Sequence, residues 1–179
     1  MMFKEELDMA LQDTKERKKA GQACTVCKVC GLSGSGKTSI IQDWIKENNL
    51  KSLWIDRTFT EQNIDGVSLV FDSKTIDNIN DGETVVVFDD YDWVPLSTRK
   101  HFFNLIKNSK VIDYREKAFY NCFNTVVNLG AEEDMQKMYE KKLDNIFMII
   151  VVTHPTLSSF AEDYTEEEKT IFGEHQLLC

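Results

Sequence analysis

The chain has 179 residues, of which 42% are hydrophobic, and a formal net charge of −9. This length and apolar content predict one compact domain and argue against disorder. The acidic balance argues against a surface coated with basic residues for non-specific nucleic-acid binding, because such binding depends on neutralising phosphates. Neither an apolar signal region nor a membrane-length apolar run is present, so we expect a cytoplasmic protein without a membrane span.

Helical and strand patterns alternate along the chain. Residues 3–19 carry apolar side chains at helical spacing, which predicts a leading helix within 1–20. The apolar run 24–30 predicts a buried strand, and the apolar stripe that follows the next loop predicts a helix over about 37–48. Further on, we predict strands at 52–56, 67–71 and 85–88, and helices at 74–81 and 96–108.

The last third of the chain is less regular. We interpret 113–143 as a helical insertion, 145–152 as a second continuous apolar strand, and 156–179 as an acidic C-terminal tail. Strands that alternate with helices predict one α/β domain over 1–179, a three-layer α/β/α sandwich with a mostly parallel central sheet. In such sheets ligands bind at the carboxyl ends of the strands.

Cysteine spacing offers one candidate metal site. Cys24, Cys27 and Cys30 are three residues apart, but on a strand they point alternately to opposite faces. We therefore favour buried reduced thiols over a zinc site here.

A glycine-rich loop lies between the first buried strand and the following helix. Gly31–Thr38 matches the pattern GxxxxGK[ST], in which backbone amides surround a phosphate at a helix N-terminus. The lysine of such a loop reaches the β- and γ-phosphate oxygens, and the hydroxyl coordinates Mg²⁺. An ordinary glycine turn would not explain Lys37, because an ammonium group at the start of a buried helix needs an anionic partner. The predicted ATP-binding residues are Gly31, Ser33, Gly34, Ser35, Gly36, Lys37, Thr38 and Ser39, with Thr38 also on the metal.

Two acids end the most apolar strand, VVVFDD. A carboxylate at the end of a buried strand next to a phosphate loop can hold the metal. We predict that Asp89 binds Mg²⁺ and that Asp90 orients or deprotonates the attacking water.

Polar residues also follow the second apolar strand, IIVVTHP. Thr153 or His154 is predicted to hydrogen-bond the water or the γ-phosphate, and both join Lys37 and Asp90 as candidate catalytic residues. Asp56, Arg57 and Asp92 lie at similar strand ends and are further candidates. Arg99 and Arg115 are candidates for an arginine that acts on a neighbouring subunit's nucleotide.

Basic residues cluster in one place on this acidic chain, between 99 and 117. A run of this kind is usually a solvated face, and the alternative is a local contact with double-stranded DNA.

The motifs GLSGSGKT, VVVFDD and IIVVTHP together resemble the additional-strand class of P-loop ATPases, and more narrowly the viral DNA-packaging ATPases of the FtsK/HerA superfamily. The resemblance covers about 24–160. It implies a RecA/FtsK-like core and Mg²⁺-dependent ATP hydrolysis by a homo-oligomeric ring that drives DNA translocation, in the host cytoplasm or where virions assemble. It places Asp89 and Asp90 in the Walker B motif, the acids that follow a buried strand beside the phosphate loop. It places Thr153–His154 where the superfamily often has a polar residue that senses the bound nucleotide. The final sheet strand of the family is not evident after Pro155.

Other interpretations stay open. The loop also resembles that of adenylylsulfate kinases and other small-molecule kinases, in which an acid like Asp56 follows the next strand and phosphate passes to an acceptor hydroxyl. An AAA+ ATPase is a further alternative, as is a switch that binds ATP and hydrolyses it very slowly.

Overall fold

A computed structural model describes residues 3–22, 24–32, 34–65, 68–114, 140–154, 164–174 and 176–178. The helices are α1 (Phe3–Lys19), α2 (Lys37–Glu47), α3 (Arg57–Gln62), α4 (Ser73–Asn80), α5 (Leu96–Asn108) and α6 (Glu166–Glu174). The strands are β1 (Thr25–Cys30), β2 (Lys51–Ile55), β3 (Ile64–Asp65), β4 (Ser68–Phe71), β5 (Thr84–Phe88), β6 (Lys110–Asp113), β7 (Glu140–Lys142), β8 (Ile146–Thr153) and β9 (Gln176–Leu178). A short 3₁₀ helix spans Tyr91–Trp93.

The central sheet has five parallel strands in the order β2-β5-β8-β1-β9. Every residue of β5 is buried, as is almost all of β8, which accounts for their continuous apolar sequences. Strand β8 lies between β1 and β5, so the carboxyl ends of these strands meet at one edge. This arrangement confirms the predicted α/β fold with a mostly parallel central sheet.

Helices and a small second sheet cover the two faces of the central sheet. On one face, α1 and α2 place Leu7, Ile41 and Trp44 against Cys27 and Val29 of β1. The other face packs against α4, α5 and α6 and against β4 and β6 of the second sheet, whose order is β3-β4-β6-β7. Burial on both faces makes the sheet a rigid platform for the residues at its edge. Of the helices in the described part of the chain, none combines the length and apolar content needed to cross a membrane.

The expected helical segment at 113–143 differs from the structure at both ends. Asp113 ends β6, which pairs with β4, and Glu140–Lys142 forms β7, antiparallel to β6. The β-branched pair Val111–Ile112 is buried and favours a strand, although a segment of four residues is too short to show periodicity. Residues 115–139, the rest of the predicted insertion, lie outside the described residues.

The C-terminal segment predicted as an acidic tail contributes to the core. Helix α6 buries Phe172, and β9 extends the central sheet by pairing with β1, so the expectation that no final strand follows Pro155 is wrong. The strand was missed because its apolar part is only Leu177–Leu178. The start of α6 has a recognisable signal, the capping box Thr165-x-x-Glu168, in which each residue's side chain accepts the other's amide at 3.1 Å.

Candidate functional site

The glycine-rich loop connects the carboxyl end of β1 to α2. Gly34 and Gly36 have φ angles of 82° and 85°, in the left-handed region that favours glycine. Gly36 caps α2 without a side-chain hydrogen bond. The first amides of α2 therefore have no side-chain acceptor at the cap, which is the arrangement that helix N-termini use to bind anions.

Lys37 is the first residue of α2, and its side chain folds back into the loop. Its ammonium group donates to the carbonyl oxygens of Gly31 at 2.6 Å and Leu32 at 2.7 Å, and it lies 3.3 Å from Ser35 Oγ. The residue is only 3% exposed. A buried ammonium that is held by neutral acceptors alone is suited to exchange them for anionic phosphate oxygens.

Thr38 and Asp89 connect the loop to the end of β5. The Thr38 hydroxyl donates towards the Asp89 carboxylate, at 3.3 Å from Oδ2 and 3.4 Å from Oδ1. Burial, and then the neighbouring charge of Asp90, raise the pKa of Asp89 above the ordinary value of an aspartate. Both effects disfavour the ionised carboxylate of Asp89. A bound cation would favour it, because the cation supplies a positive charge at this position.

Asp90 adopts the left-handed conformation, with φ 56°, directly after the strand. Aspartate tolerates this region better than most residues, and strained positions of this kind concentrate at functional sites. Its carboxylate lies 2.7 Å from His154 Nε2 and accepts from Arg57 Nε at 3.1 Å. Arg57 also lies over the Trp93 ring, 5.0 Å from its centre. The acid predicted to act on water is thus held by side chains from the ends of two other strands.

His154 is fixed by a second acid, Asp92. Its backbone amide donates to Asp92 Oδ2 at 2.9 Å, and the hydroxyl of Tyr164 donates to the other oxygen of the same carboxylate. The buried Nδ1 of the His154 ring has no hydrogen-bond partner within the described structure. His154 therefore combines one engaged ring nitrogen with one buried nitrogen that has no partner among the described residues.

The Thr153 hydroxyl points away from this cluster. It is buried and lies 3.5 Å from the Val29 carbonyl oxygen of the neighbouring strand β1. This contact gives the Thr153 hydroxyl a partner within the sheet, and the predicted sensor role of Thr153 and His154 stays a prediction.

Other predicted residues separate into four groups. Ser39 is exposed on the first turn of α2, and Ser33 and Arg115 lie outside the described residues. Asp56 caps α3, where its carboxylate accepts the Phe59 amide at 2.8 Å, so its presence is explained without a substrate. Arg99 is buried beneath the site, which excludes it from reaching a neighbouring subunit in this conformation.

The donor set fits a magnesium ion. Asp89, Asp90 and His154 are the one group of acidic, histidine or cysteine side chains, among the described residues, whose ligand atoms all lie close enough to hold a metal, within 4.8 Å of one another. The Thr38 hydroxyl adds an oxygen beside Asp89. Mg²⁺ prefers oxygen ligands, so Thr38 and Asp89 would hold it, while His154 is better suited to contact Asp90.

A buried cluster that the sequence patterns do not predict supports this site. Tyr91, one residue after Asp90, donates its hydroxyl to Glu168 of α6, and Arg99 of α5 donates to the same carboxylate. Tyr164 bonds Asp92 from the C-terminal segment. The capping box at α6 marks Glu168 as the start of a helix, but nothing in the sequence indicates that its carboxylate reaches Tyr91, just after β5.

Comparisons with known proteins give little beyond the fold. No family model matches the chain, and no curated protein matches it. Among solved structures, the chain is similar to the ADP form of the ORC2 protein of Aeropyrum pernix, with 11% identity and a TM-score of 0.45. That similarity covers 96% of this chain and 46% of the other, so this chain spans less than half the length of that protein. The assignment of function therefore depends on the geometry of the site.

Proposed function

We propose that this protein binds ATP with Mg²⁺ and hydrolyses it. The observation that carries the proposal is the contact between Thr38 and Asp89, at 3.3 Å. These residues come from separate motifs of the sequence, and their contact supports the proposal because a hydroxyl and a carboxylate of the kind that hold Mg²⁺ lie together beside the glycine-rich loop.

Binding is assigned to the loop. The amides at the start of α2 would surround the β-phosphate, and Lys37 would exchange the Gly31 and Leu32 carbonyls for phosphate oxygens. Thr38 and Asp89 would hold Mg²⁺, which neutralises charge between the β- and γ-phosphates when bound.

Hydrolysis is assigned to Asp90 with His154. Asp90 would accept the proton of the attacking water or orient it, and His154 would fix the position of the Asp90 carboxylate. An aspartate is shorter by one methylene than the glutamate often found at this position, and the left-handed backbone of Asp90 sets how far it reaches.

Paired variants test the two assignments separately. Lys37→Ala should weaken binding of an ATP analogue by about 10- to 100-fold, the equivalent of a hydrogen bond to a charged group. Asp90→Asn should keep that affinity and lower the rate of phosphate release by about 10²- to 10⁴-fold, the range for general acid–base groups. Both are measured by calorimetry and by a phosphate-release assay with Mg²⁺ and with EDTA.

Matched controls come from exposed residues of α2. Lys46→Ala and Asp43→Asn repeat the two changes of charge at positions of α2 away from the loop, and should leave both measurements at the wild-type level. Unchanged affinity in Lys37→Ala contradicts the binding site. Unchanged turnover in Asp90→Asn contradicts its role and favours a nucleotide switch.

The finer functions implied by resemblance stay predictions. They are a homo-oligomeric ring, a double-stranded DNA partner and a role in viral DNA packaging, in the cytoplasm or where virions assemble. Stimulation of ATP turnover by double-stranded DNA, together with a ring-sized particle in light scattering with a non-hydrolysable analogue, would support them. Turnover that needs a small-molecule acceptor would favour the kinase alternative instead.

A further inference from the structure

A cavity of about 440 Å³ opens at the edge of the central sheet opposite the phosphate loop. Its walls include Cys24, just before β1, and Ile146, the first residue of β8. The other ends of these two strands lead to Gly31 and His154. At about 3.3 Å per residue, a strand as long as β1 separates the two sites by roughly 20 Å.

Three lysines line this cavity: Lys107, Lys110 and Lys142. Lys107 lies in the last turn of α5, and Ser109, with φ 53°, turns the chain into β6, where Lys110 is the first residue. The turn brings both lysines to the cavity. Asp144 is the acid among the lining residues.

The pairing of β6 with β7 places Lys110 directly opposite Lys142. Like charges at directly opposed positions of neighbouring strands repel each other and destabilise the pair. Within the described residues, neither ammonium group forms an ion pair, whereas the adjacent Lys141 pairs with Asp113 at 2.7 Å. An anion between the two ammonium groups would remove this repulsion.

The fold alone explains two of these lysines. Lys107 complements the C-terminus of α5 and pairs with Glu167 at 2.7 Å, and Lys142 lies on an edge strand, where lysine prevents further strand pairing. Lys110 has neither explanation, because β6 lies inside the second sheet, between β4 and β7. Lys110 and Lys142 are both exposed and both line the cavity, so their ammonium groups are accessible together to a ligand there.

We propose that this cavity binds a small ligand that carries two or more phosphate groups. The volume falls within the range of about 300–1,000 Å³ that is typical of small-molecule sites. A nucleic-acid strand would need a much larger contact surface, of about 1,000–2,500 Å² for a specific complex. The lysines supply point charges that suit phosphate oxygens, and Gln22 and Ser109 add polar groups to the wall.

The test uses tripolyphosphate and the full chain with Lys37→Ala, which removes the main phosphate-binding charge of the other site. Calorimetry should show that tripolyphosphate still binds this protein, at a site that does not depend on Lys37. Adding Lys110→Gln and Lys142→Gln should weaken that binding by about tenfold or more, the loss of a charge-assisted hydrogen bond. Adding Lys74→Gln and Lys100→Gln instead removes the same charge from exposed positions that do not line the cavity, and should change the affinity by less than about twofold.

Thermal unfolding gives a second readout that does not depend on the Lys37 site. Without ligand, the Lys110→Gln/Lys142→Gln protein should unfold at the same temperature as its parent or a higher one, because the repulsion is gone. Tripolyphosphate should raise the unfolding temperature of the parent and leave that of the variant unchanged.

Three outcomes overturn the proposal. They are no binding of tripolyphosphate to the Lys37→Ala protein, equal weakening by the control pair, and tighter binding of a single-stranded 12-mer oligonucleotide than of tripolyphosphate. The last would assign the lysines to a nucleic-acid surface. Whether the protein hydrolyses ATP is a separate question from whether this cavity binds tripolyphosphate, since the cavity lies at the opposite edge of the sheet from the phosphate loop.

Discussion

Arg99 of α5 and Glu168 of α6 form a buried ion pair beneath the candidate site. Arg99 Nε donates to Glu168 Oε2 at 3.0 Å and Nη2 donates to Oε1 at 3.3 Å, and both side chains are at most 2% exposed. Tyr91 donates to the same carboxylate. Burial raises the pKa of Tyr91, and the negative charge of Glu168 raises it further. The C-terminal helix is thereby joined to the segment that carries Asp90.

Glu168→Gln should destabilise the protein strongly. The substitution keeps the shape of the side chain but leaves the Arg99 guanidinium buried without its counter-charge, which costs about 3–5 kcal/mol when one partner of a buried pair is removed. The free energy of unfolding is measured in urea. Glu167→Gln is the matched control, because Glu167 forms an exposed pair with Lys107 and should change stability by about 0–1 kcal/mol. Equal effects of the two variants would contradict a special role for the buried pair.

The elements around the candidate site could be predicted because their signals are local. The phosphate loop needs glycine where φ is positive and a lysine after it, and both requirements appear within Gly31–Thr38. The acids Asp89 and Asp90 follow a strand that is apolar without alternation, which marks it as buried on both faces. A reader of the sequence can therefore expect these groups to share an edge, before any coordinates are known.

The supporting contacts could not be predicted because they depend on distant segments. Arg99 was predicted to be a candidate for contact with a neighbouring subunit, but its partner Glu168 lies 69 residues further along the chain. The contacts of Asp90 could not be predicted for the same reason, because its partners Arg57 and His154 follow β2 and β8, which are distant in the sequence. Short strands such as β7 and β9 are specified by pairing with neighbours, since three residues show no periodicity of their own.

Gly36→Ala should weaken nucleotide binding through backbone strain. A Cβ atom at this position would meet Ile40 Cδ1 only at 3.9 Å, an ordinary contact, but φ is 85° and costs an alanine about 1–2 kcal/mol. Relief of that strain would move the amides at the start of α2. We expect lower affinity for an ATP analogue in calorimetry. Gly82→Ala has no positive φ and no close neighbour within the described structure, and should be neutral in the same assay or slightly stabilising.

Asp72 should give α4 a pH-dependent cap. Its carboxylate accepts the Thr75 amide at 2.7 Å, and this hydrogen bond lowers the Asp72 pKa below its ordinary value. The stabilisation is therefore fully present above the unfolded-state pKa of about 3.9 and is lost as the pH falls through the lower folded-state pKa.

Asp72→Ala should accordingly cost about 0.5–2 kcal/mol at pH 7, and the difference from wild type should shrink below pH ~4. Urea unfolding at a series of pH values measures it. Asp77→Ala, an exposed change on the same helix that removes no cap, should stay within about 0.5 kcal/mol of wild type throughout. If the difference in the free energy of unfolding between Asp72→Ala and wild type grew as the pH fell, a cap that depends on the ionised carboxylate would be contradicted.

His154→Asn should slow ATP hydrolysis without weakening ATP binding. The variant removes the ring that lies 2.7 Å from Asp90 but keeps the backbone amide that donates to Asp92, and it does not alter the loop proposed to bind nucleotide. We expect phosphate release to fall by about 10²-fold, with affinity for an ATP analogue unchanged. His101→Asn, a histidine change on α5 outside the cluster, is the control and should leave turnover at the wild-type level.

A double-mutant cycle with Arg57→Gln separates positioning of Asp90 from a direct role of the ring. If His154 and Arg57 act by holding the same carboxylate, their effects on turnover will be non-additive, because they share one partner. Asp90→Asn should then remove most of the effect of His154→Asn, since no carboxylate is left to position. Full additivity of His154→Asn with both variants would show instead that His154 acts on the nucleotide independently of Asp90.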